Sequence, residues 1–177
     1  MIDLSPKIKE ALNNQIGYEG YASNFYLALA YWCDDQALQG CKKFFIRQSE
    51  EERMHMLKIY EYMSESGVHP KTSAIPEPPL EYESIQTAFS KVFEQERSVT
   101  QSIHNLLLLA QQENDYNTQQ FLQWYVDEQR EEEAVIRTIL DRIKIIGQGG
   151  ASLYYIDKEV EKINQEVIAA EAAGGGE

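Results

Sequence analysis

Glu52, Arg53, Met54 and His55 set a carboxylate and an imidazole at positions i and i+3, which lie on one face of a helix. Such a pair can hold a metal ion, but by itself it is more often surface charge than a ligand pair. Three more carboxylates, Glu19, Glu96 and Glu132, share its setting: each interrupts a run of apolar residues spaced three and four apart. Four carboxylates and one imidazole are enough for two metal ions, with Glu52 giving one oxygen to each. An oxygen-rich set with one imidazole suits iron or manganese better than a thiolate-preferring metal, with zinc as a surrogate.

The elements that must position these groups are read from the same runs. The first is Ile8, Leu12, Gln15, Glu19, Ala22, Tyr26, Leu29, Cys33, and the second Cys41, Phe45, Gln48, Glu52, His55, Ile59, Tyr62. The third is Ile85, Phe89, Val92, Glu96, Val99, Ile103, Leu106, Ala110, and the fourth Leu122, Tyr125, Gln129, Glu132, Ile136, Ile139, Ile143, Ile146. Seams of this period face the core of a helical bundle. A carboxylate in such a seam opposes folding unless a positive charge is paired with it, and no seam contains a Lys or Arg. A bound metal resolves the conflict in all four at once.

Helix boundaries follow from capping signals. The first helix is predicted to begin at Ser5, with Pro6 in its first turn, and to end near Trp32, with Asp34 and Asp35 in the turn. The second is predicted from about Leu38 to Ser66, stopping at Gly67. Pro70, Pro76, Pro78 and Pro79 keep the segment 68–82 from being helical. The third helix is predicted from Ser84 to Gln112, and the fourth from Thr118 to Ile146. The proline-rich segment is long for a helix–helix connection. About 16 extended residues span roughly 50 Å, and a helix of about 28 residues is roughly 42 Å long. The segment can therefore cross the bundle and make the second and third helices parallel. The expected fold is all-α, a four-helix bundle with one long crossover and a short fifth helix carrying Leu153, Ile156, Val160, Ile163 and Val167 on one side. Because the polar residues sit mid-helix in every seam, they meet at one depth whatever direction each helix runs.

Composition bounds the partners. The chain has 177 residues and a formal charge of −13, from 29 acidic and 16 basic residues. Cations, not nucleic acid, are the natural partners of that surface. No stretch approaches the roughly 20 apolar residues of a membrane span. The N-terminal segment MIDLSPKIKE has no apolar signal core, so the expected location is cytoplasmic. Residues 1–170 are expected to form a single domain, and residues 171–177 a disordered tail. Cys33 and Cys41 are read as reduced thiols acting as small hydrophobes. His104 and His69 are expected at the surface, Met54 and Met56 as packing residues, Trp124 and Tyr125 in the core or an interface, and Tyr31 and Trp32 at a subunit contact.

Over nearly its whole length the chain resembles the prokaryotic non-haem ferritins. The matching motifs are YEGYASNFY with Glu19 and Tyr26, SEEERMHM with Glu51, Glu52 and His55, EQERSVT with Glu96, and FLQWYVDEQREEE with Glu128 to Glu132. The resemblance implies an iron-storage protein whose di-iron ferroxidase centre oxidises Fe(II) with O₂ or H₂O₂. It implies a homo-oligomeric shell, a 24-mer, with ferric oxide mineral inside. Glu19, Glu52 and His55 would hold the first iron; Glu52, Glu96 and Glu132 the second, with Gln129 beside it. Glu51, Glu128, Glu131 and Glu132 would form a third iron site, and Tyr26 would lie beside the centre and supply an electron.

Departures from related families sharpen this expectation. Bacterioferritins and many di-iron oxidases carry a second ExxH on the last helix, where this chain has Gln129 and Glu132. Arg53 stands where bacterioferritins carry a haem-ligating Met, so no haem is expected. A non-storing di-iron oxidase like the rubrerythrins would usually bring a CxxC-type iron domain, and a DNA-protecting mini-ferritin a basic tail. Neither is present in this sequence.

Overall fold

The computed structural model describes residues 4–174. It contains five helices: α1 (Pro6–Asp35), α2 (Gln39–Glu65), α3 (Ile85–Gln112), α4 (Tyr116–Ile146) and α5 (Ser152–Gly174). Three of the starts have a local cause. The Ile8 amide donates to Ser5 Oγ at 3.3 Å with Pro6 at the first position of α1, the Thr87 amide to Ser84 Oγ at 3.1 Å, and the Thr118 amide to Asp115 Oδ1 at 3.1 Å. These side chains satisfy amides that a helix start leaves without partners. Gly67 ends α2 in the left-handed region, at φ 75°, where a residue without Cβ is unstrained.

Three boundaries differ from the sequence reading. α1 continues through Asp35, and the turn is Gln36–Leu38, with Ala37 at φ 58°. Asp34 stays helical because it accepts from Gln39 Nε2 at 2.8 Å and pairs with Lys42 at 2.9 Å. α4 begins at Tyr116 because Asp115 is its cap rather than part of the preceding turn. The fifth helix is not short: it has 23 residues and reaches Gly174. Residues 171–174, expected in a disordered tail, are thus helical, and the rest of that expectation, residues 175–177, lies outside the described residues.

The crossover runs antiparallel to α2 along the outside of α1. The Lys71 amide donates to Asn13 Oδ1 at 2.7 Å, Ile75 packs where a Cβ on Gly20 would meet it at 3.0 Å, and Tyr82 meets Trp32 edge-on at 5.3 Å. It therefore carries the chain back the full length of the bundle, and α3 starts beside the start of α2. Trp32 is buried within the subunit by this contact rather than exposed for a neighbour. Met54 is 67% exposed and is not a packing residue, because it lies off the seam that His55 occupies.

Two apolar clusters form the core. One is centred on Phe44, Phe45, Phe89 and Ile139, the other on Ile8, Leu12, Ile59, Ile103 and Leu122. Each fully buried side chain of this size contributes roughly 1.5–3 kcal/mol. Together they clamp a polar layer between them that would not fold by itself. α5 packs on α2 and α4. Its Ile156, Val160 and Ile163 are buried, Leu153 is exposed, and Asp157 and Asn164 are buried on the same face. Asp157 Oδ1 accepts from the Cys41 amide at 2.9 Å. It thereby supplies the N-terminal cap of α2 that Leu38 cannot.

Candidate metal centre

The mid-bundle layer takes one polar face from each of α1 to α4. Glu19, Glu52 and Glu96 have no exposed surface, His55 is 4% exposed and Glu132 7%. Three sets of ligand atoms lie within 4.8 Å of one another: Glu19, Glu52 and His55; Glu52, Glu96 and Glu132; and His55, Glu128 and Glu132. The first two share Glu52, as its place in the motif implied. Among the described residues, none of the four seam carboxylates is paired with a Lys or Arg; the nearest cation-capable group is His55, 3.3 Å from Glu52 and 3.9 Å from Glu132.

Among the described residues, six buried side-chain atoms have no hydrogen-bond partner: Glu19 Oε2, both oxygens of Glu52, His55 Nδ1 and both oxygens of Glu132. Buried polar atoms almost always find a partner, so six orphans around one point are the signature of a place for a cation. The remaining atoms of the layer are held from outside. Gln15 Nε2 donates to Glu19 Oε1 at 2.8 Å, and Ser102 Oγ donates to Gln15 Oε1 at 2.5 Å. The Tyr26 hydroxyl donates to Glu96 Oε1, and Gln129 Nε2 donates to Glu96 Oε2 at 3.1 Å. The Tyr125 hydroxyl donates to the His55 carbonyl at 2.7 Å. Outer contacts of this kind fix the orientation of ligands before a metal arrives.

Burial dominates the electrostatics. It pushes the Glu19 carboxyl up to about 7, opposed in part by the hydrogen bond from Gln15, and Glu52 and Glu132 well above the usual carboxylate range, where the neighbouring carboxylates add to the effect. Glu96 is raised by the same burial, opposed by its bonds from Tyr26 and Gln129. Burial pushes His55 down to about 4, so its imidazole is neutral and free to donate a lone pair. A neutral imidazole beside carboxyls that hold their protons above the usual range is a site that can exchange protons for metal ions.

The ferritin-like domain family matches residues 9–146. The bacterial non-heme ferritin of Staphylococcus saprophyticus is 41% identical over 157 residues, 89% of this chain and 94% of that protein. A probable bacterial non-heme ferritin-like protein of Haemophilus influenzae is 38% identical over 161 residues, 91% of this chain and 98% of that one. The open pore ferritin of Archaeoglobus fulgidus superposes with a TM-score of 0.88 at 41% identity, covering 90% of this chain and 98% of that one. This chain belongs to the ferritin family. It is a non-haem ferritin, an iron-storage protein with a buried Glu/His centre of the ferroxidase type.

In this ferritin the residues expected at a third site are only partly gathered. Glu128 and Glu132 join His55. Glu51 is instead held by the Arg47 guanidinium, and Glu131 is 71% exposed beside Arg130 at 3.6 Å. All four line one cavity of 600 Å³ between α2, α4 and α5. Burial, offset in part by Arg47, leaves Glu51 at about 7.

Sequence reasoning missed Arg47, Ser102, Thr100 and Glu171. Arg47 lies next to seam residue Gln48 and bonds to it at 2.7 Å, so its adjacency was readable but its direction was not. Trp124 is not a core residue: it is 38% exposed and stands edge-on to His55 at 5.2 Å. His104 and His69 are exposed as expected.

Proposed function

We propose that Glu19, Glu52 and His55 bind one Fe(II), that Glu52, Glu96 and Glu132 bind a second with Gln129 beside it, and that the pair reacts as a unit. The observation carrying this assignment is that the two buried ligand sets share Glu52 and that six side-chain atoms of their residues are unpartnered. Two Fe(II) ions together supply two electrons. That is the number needed to take O₂ to H₂O₂, or H₂O₂ to water, without releasing a one-electron product. The chain's own part is to bring carboxylate charge to the ions, keep His55 neutral, and exclude bulk water by the apolar clusters on either side. Tyr26 gives a further electron, a role its hydrogen bond to Glu96 supports. Glu51, Glu128, Glu131 and Glu132 form the third iron site, on the side of the centre that faces the 600 Å³ cavity.

Fe(III) leaves for mineral because only one imidazole holds it; α4 offers Gln129 and Glu132 where a second ExxH would bind more firmly. The family's shell is taken to be a 24-mer of identical subunits with the mineral inside, and its location cytoplasmic. No helix among the described residues is long and apolar enough to cross a membrane.

Iron retention tests storage. Excess Fe(II) is added in air to the metal-free protein, and iron per protein is counted in the sizing-column peak. Iron far beyond the site ligands, in a peak of very large mass, is expected; iron limited to the ligand sites in a small oligomer would sink the storage shell. For the centre itself, Glu52→Ala and His55→Ala are expected to slow the rapid phase of Fe(II) oxidation by at least about 100-fold. Parent-like rates in both variants would show the assigned ligands to be wrong.

A further inference from the structure

α5 runs beside α2 in the same direction. Asp157 meets Cys41, Asn164 Oδ1 accepts from Arg47 Nε at 2.6 Å, and Glu171 lies 3.2 Å from the Arg47 guanidinium. From Asp157 to Glu171 is about 21 Å of helix, enough to carry the end of α5 from the head of α2 to the depth of the metal layer. There Val167, Ala170 and Glu171 wall the 600 Å³ cavity whose other side is Glu51, Glu128 and Glu132. A second cavity, of 680 Å³, adjoins it and is lined by His55, Trp124 and again Glu171.

Two carboxylates from two helices thus hold one cation, and a third helix brings another carboxylate to the same cavity. Arg47 bridges Glu51 of α2 and Glu171 of α5, while Glu128 of α4 lines the same space. An acidic cluster alone would mean little. Here Glu132, 7% exposed and with both oxygens unpartnered, lines the same cavity.

We propose that Glu171, at the end of the long fifth helix, is a ligand of the third iron site, and that Arg47 is the cation that fills this site until a metal ion displaces it. The inference rests on the third-site reading above and adds to it the helix that closes the site. A multivalent ion displacing Arg47 exchanges one positive charge for two or three among the same carboxylates. It also releases Arg47 from Glu171, so metal loading and the seating of the α5 end are coupled. Oxygen donors on three separate helices suit a hard, oxygen-preferring ion such as ferric iron.

Terbium(III), which is redox-inert and oxygen-preferring, is the probe. Trp124 lines both cavities and can sensitise its luminescence. The metal-free shell is titrated with terbium(III) under excitation of tryptophan alone, for the parent, Glu171→Gln, and the double variant Glu128→Ala with Glu131→Ala. The parent is expected to bind a third equivalent per subunit after the first two. Glu171→Gln is expected to weaken that third step by at least about tenfold and leave the first two unchanged. If Glu171→Gln binds like the parent while the double variant loses the third step, Glu171 is not a ligand and the third-site reading stands. If the parent has no third step, or the double variant keeps it, both readings fall. Hydrogen exchange of residues 165–173 reads the Arg47 part: Arg47→Gln is expected to lose protection there without metal and regain it with terbium(III). Unchanged protection in the metal-free variant would overturn the role of Arg47.

Discussion

Two glutamines in the metal layer are oriented by hydroxyls of α3. Ser102 Oγ donates to the Gln15 oxygen, which leaves the Gln15 nitrogen to donate to Glu19. Thr100 Oγ1 spends its proton on Glu133 at 2.7 Å and accepts from Gln129 Nε2 at 3.3 Å, so the same nitrogen faces Glu96. Both amides therefore present a donor to the carboxylate, holding one oxygen and, at Glu19, leaving the other for metal. Ser102→Ala frees Gln15 to turn its oxygen toward Glu19. The expected result is a roughly tenfold weaker affinity for the ion bound at Glu19, within the range that loss of an outer-shell partner gives. Calorimetric titration with Zn(II) reads it, and an unchanged first step would show that Gln15 needs no such support. Gln15 was visible in the first seam. Its partner was not, because Ser102 lies off the third seam and only the packed pair of helices shows which hydroxyl meets which amide.

At the scale of elements, the docking of α5 decides how the head of α2 is capped. A Cβ on Gly40 would lie 2.3 Å from the Asp157 carbonyl and 2.9 Å from Glu161 Cβ. The first clash is with backbone and cannot be relieved by a rotamer. Gly40→Ala is expected to push α5 off α2 and lose about 1–3 kcal/mol, the usual effect of overpacking. Urea denaturation of the metal-free protein measures this, with hydrogen exchange locating the loss in α5 and the first turn of α2. A variant as stable as the parent would mean that the close approach is not needed. The apolar stripe Ile156, Val160, Ile163 was legible as a buried face. Its destination was not, since a stripe alone does not distinguish a neighbouring subunit from the groove between α2 and α4. The helix extent was also misread, because the glycines at the end were allowed to outweigh Ala169, Ala170, Glu171, Ala172 and Ala173, all strong helix formers.

For the whole molecule, the buried layer makes stability depend on pH and on metal together. Glu19, Glu52, Glu96 and Glu132 have carboxyls raised above the unfolded value. Their contribution to stability is present below about 4.5 and is lost as pH rises through the folded value, about 7 for Glu19. His55, lowered to about 4, acts oppositely: its contribution is present above the unfolded value of 6.5 and is lost as pH falls toward 4. Between these limits several carboxyls oppose one imidazole, and above 6.5 the carboxyls act alone. The metal-free protein is therefore expected to lose melting temperature from pH 6 to pH 8. Bound metal takes the place of the protons, adding about 4 kcal/mol per site at a thousand times Kd, so the Zn(II)-loaded protein is expected to show little or no such fall. Calorimetry in chelator and in Zn(II) across that range compares them. A metal-free protein that gains stability toward pH 8 would contradict the burial of these groups as ionisable carboxyls.

What the sequence determined by itself was the set of seams, their mid-helix carboxylates, the crossover and the resemblance that named the family. These depend on period and spacing within single helices, and burial of Glu19, Glu52, His55, Glu96 and Glu132 followed from them. Only the tertiary structure decided what stands around that layer: Ser102 behind Gln15, Asn164 on Arg47, and Glu171 arriving on α5 from 120 residues beyond Glu51. Those contacts join residues on different helices. Their pairing is set by the rotation and depth at which the helices pack, which no repeat along one chain segment encodes.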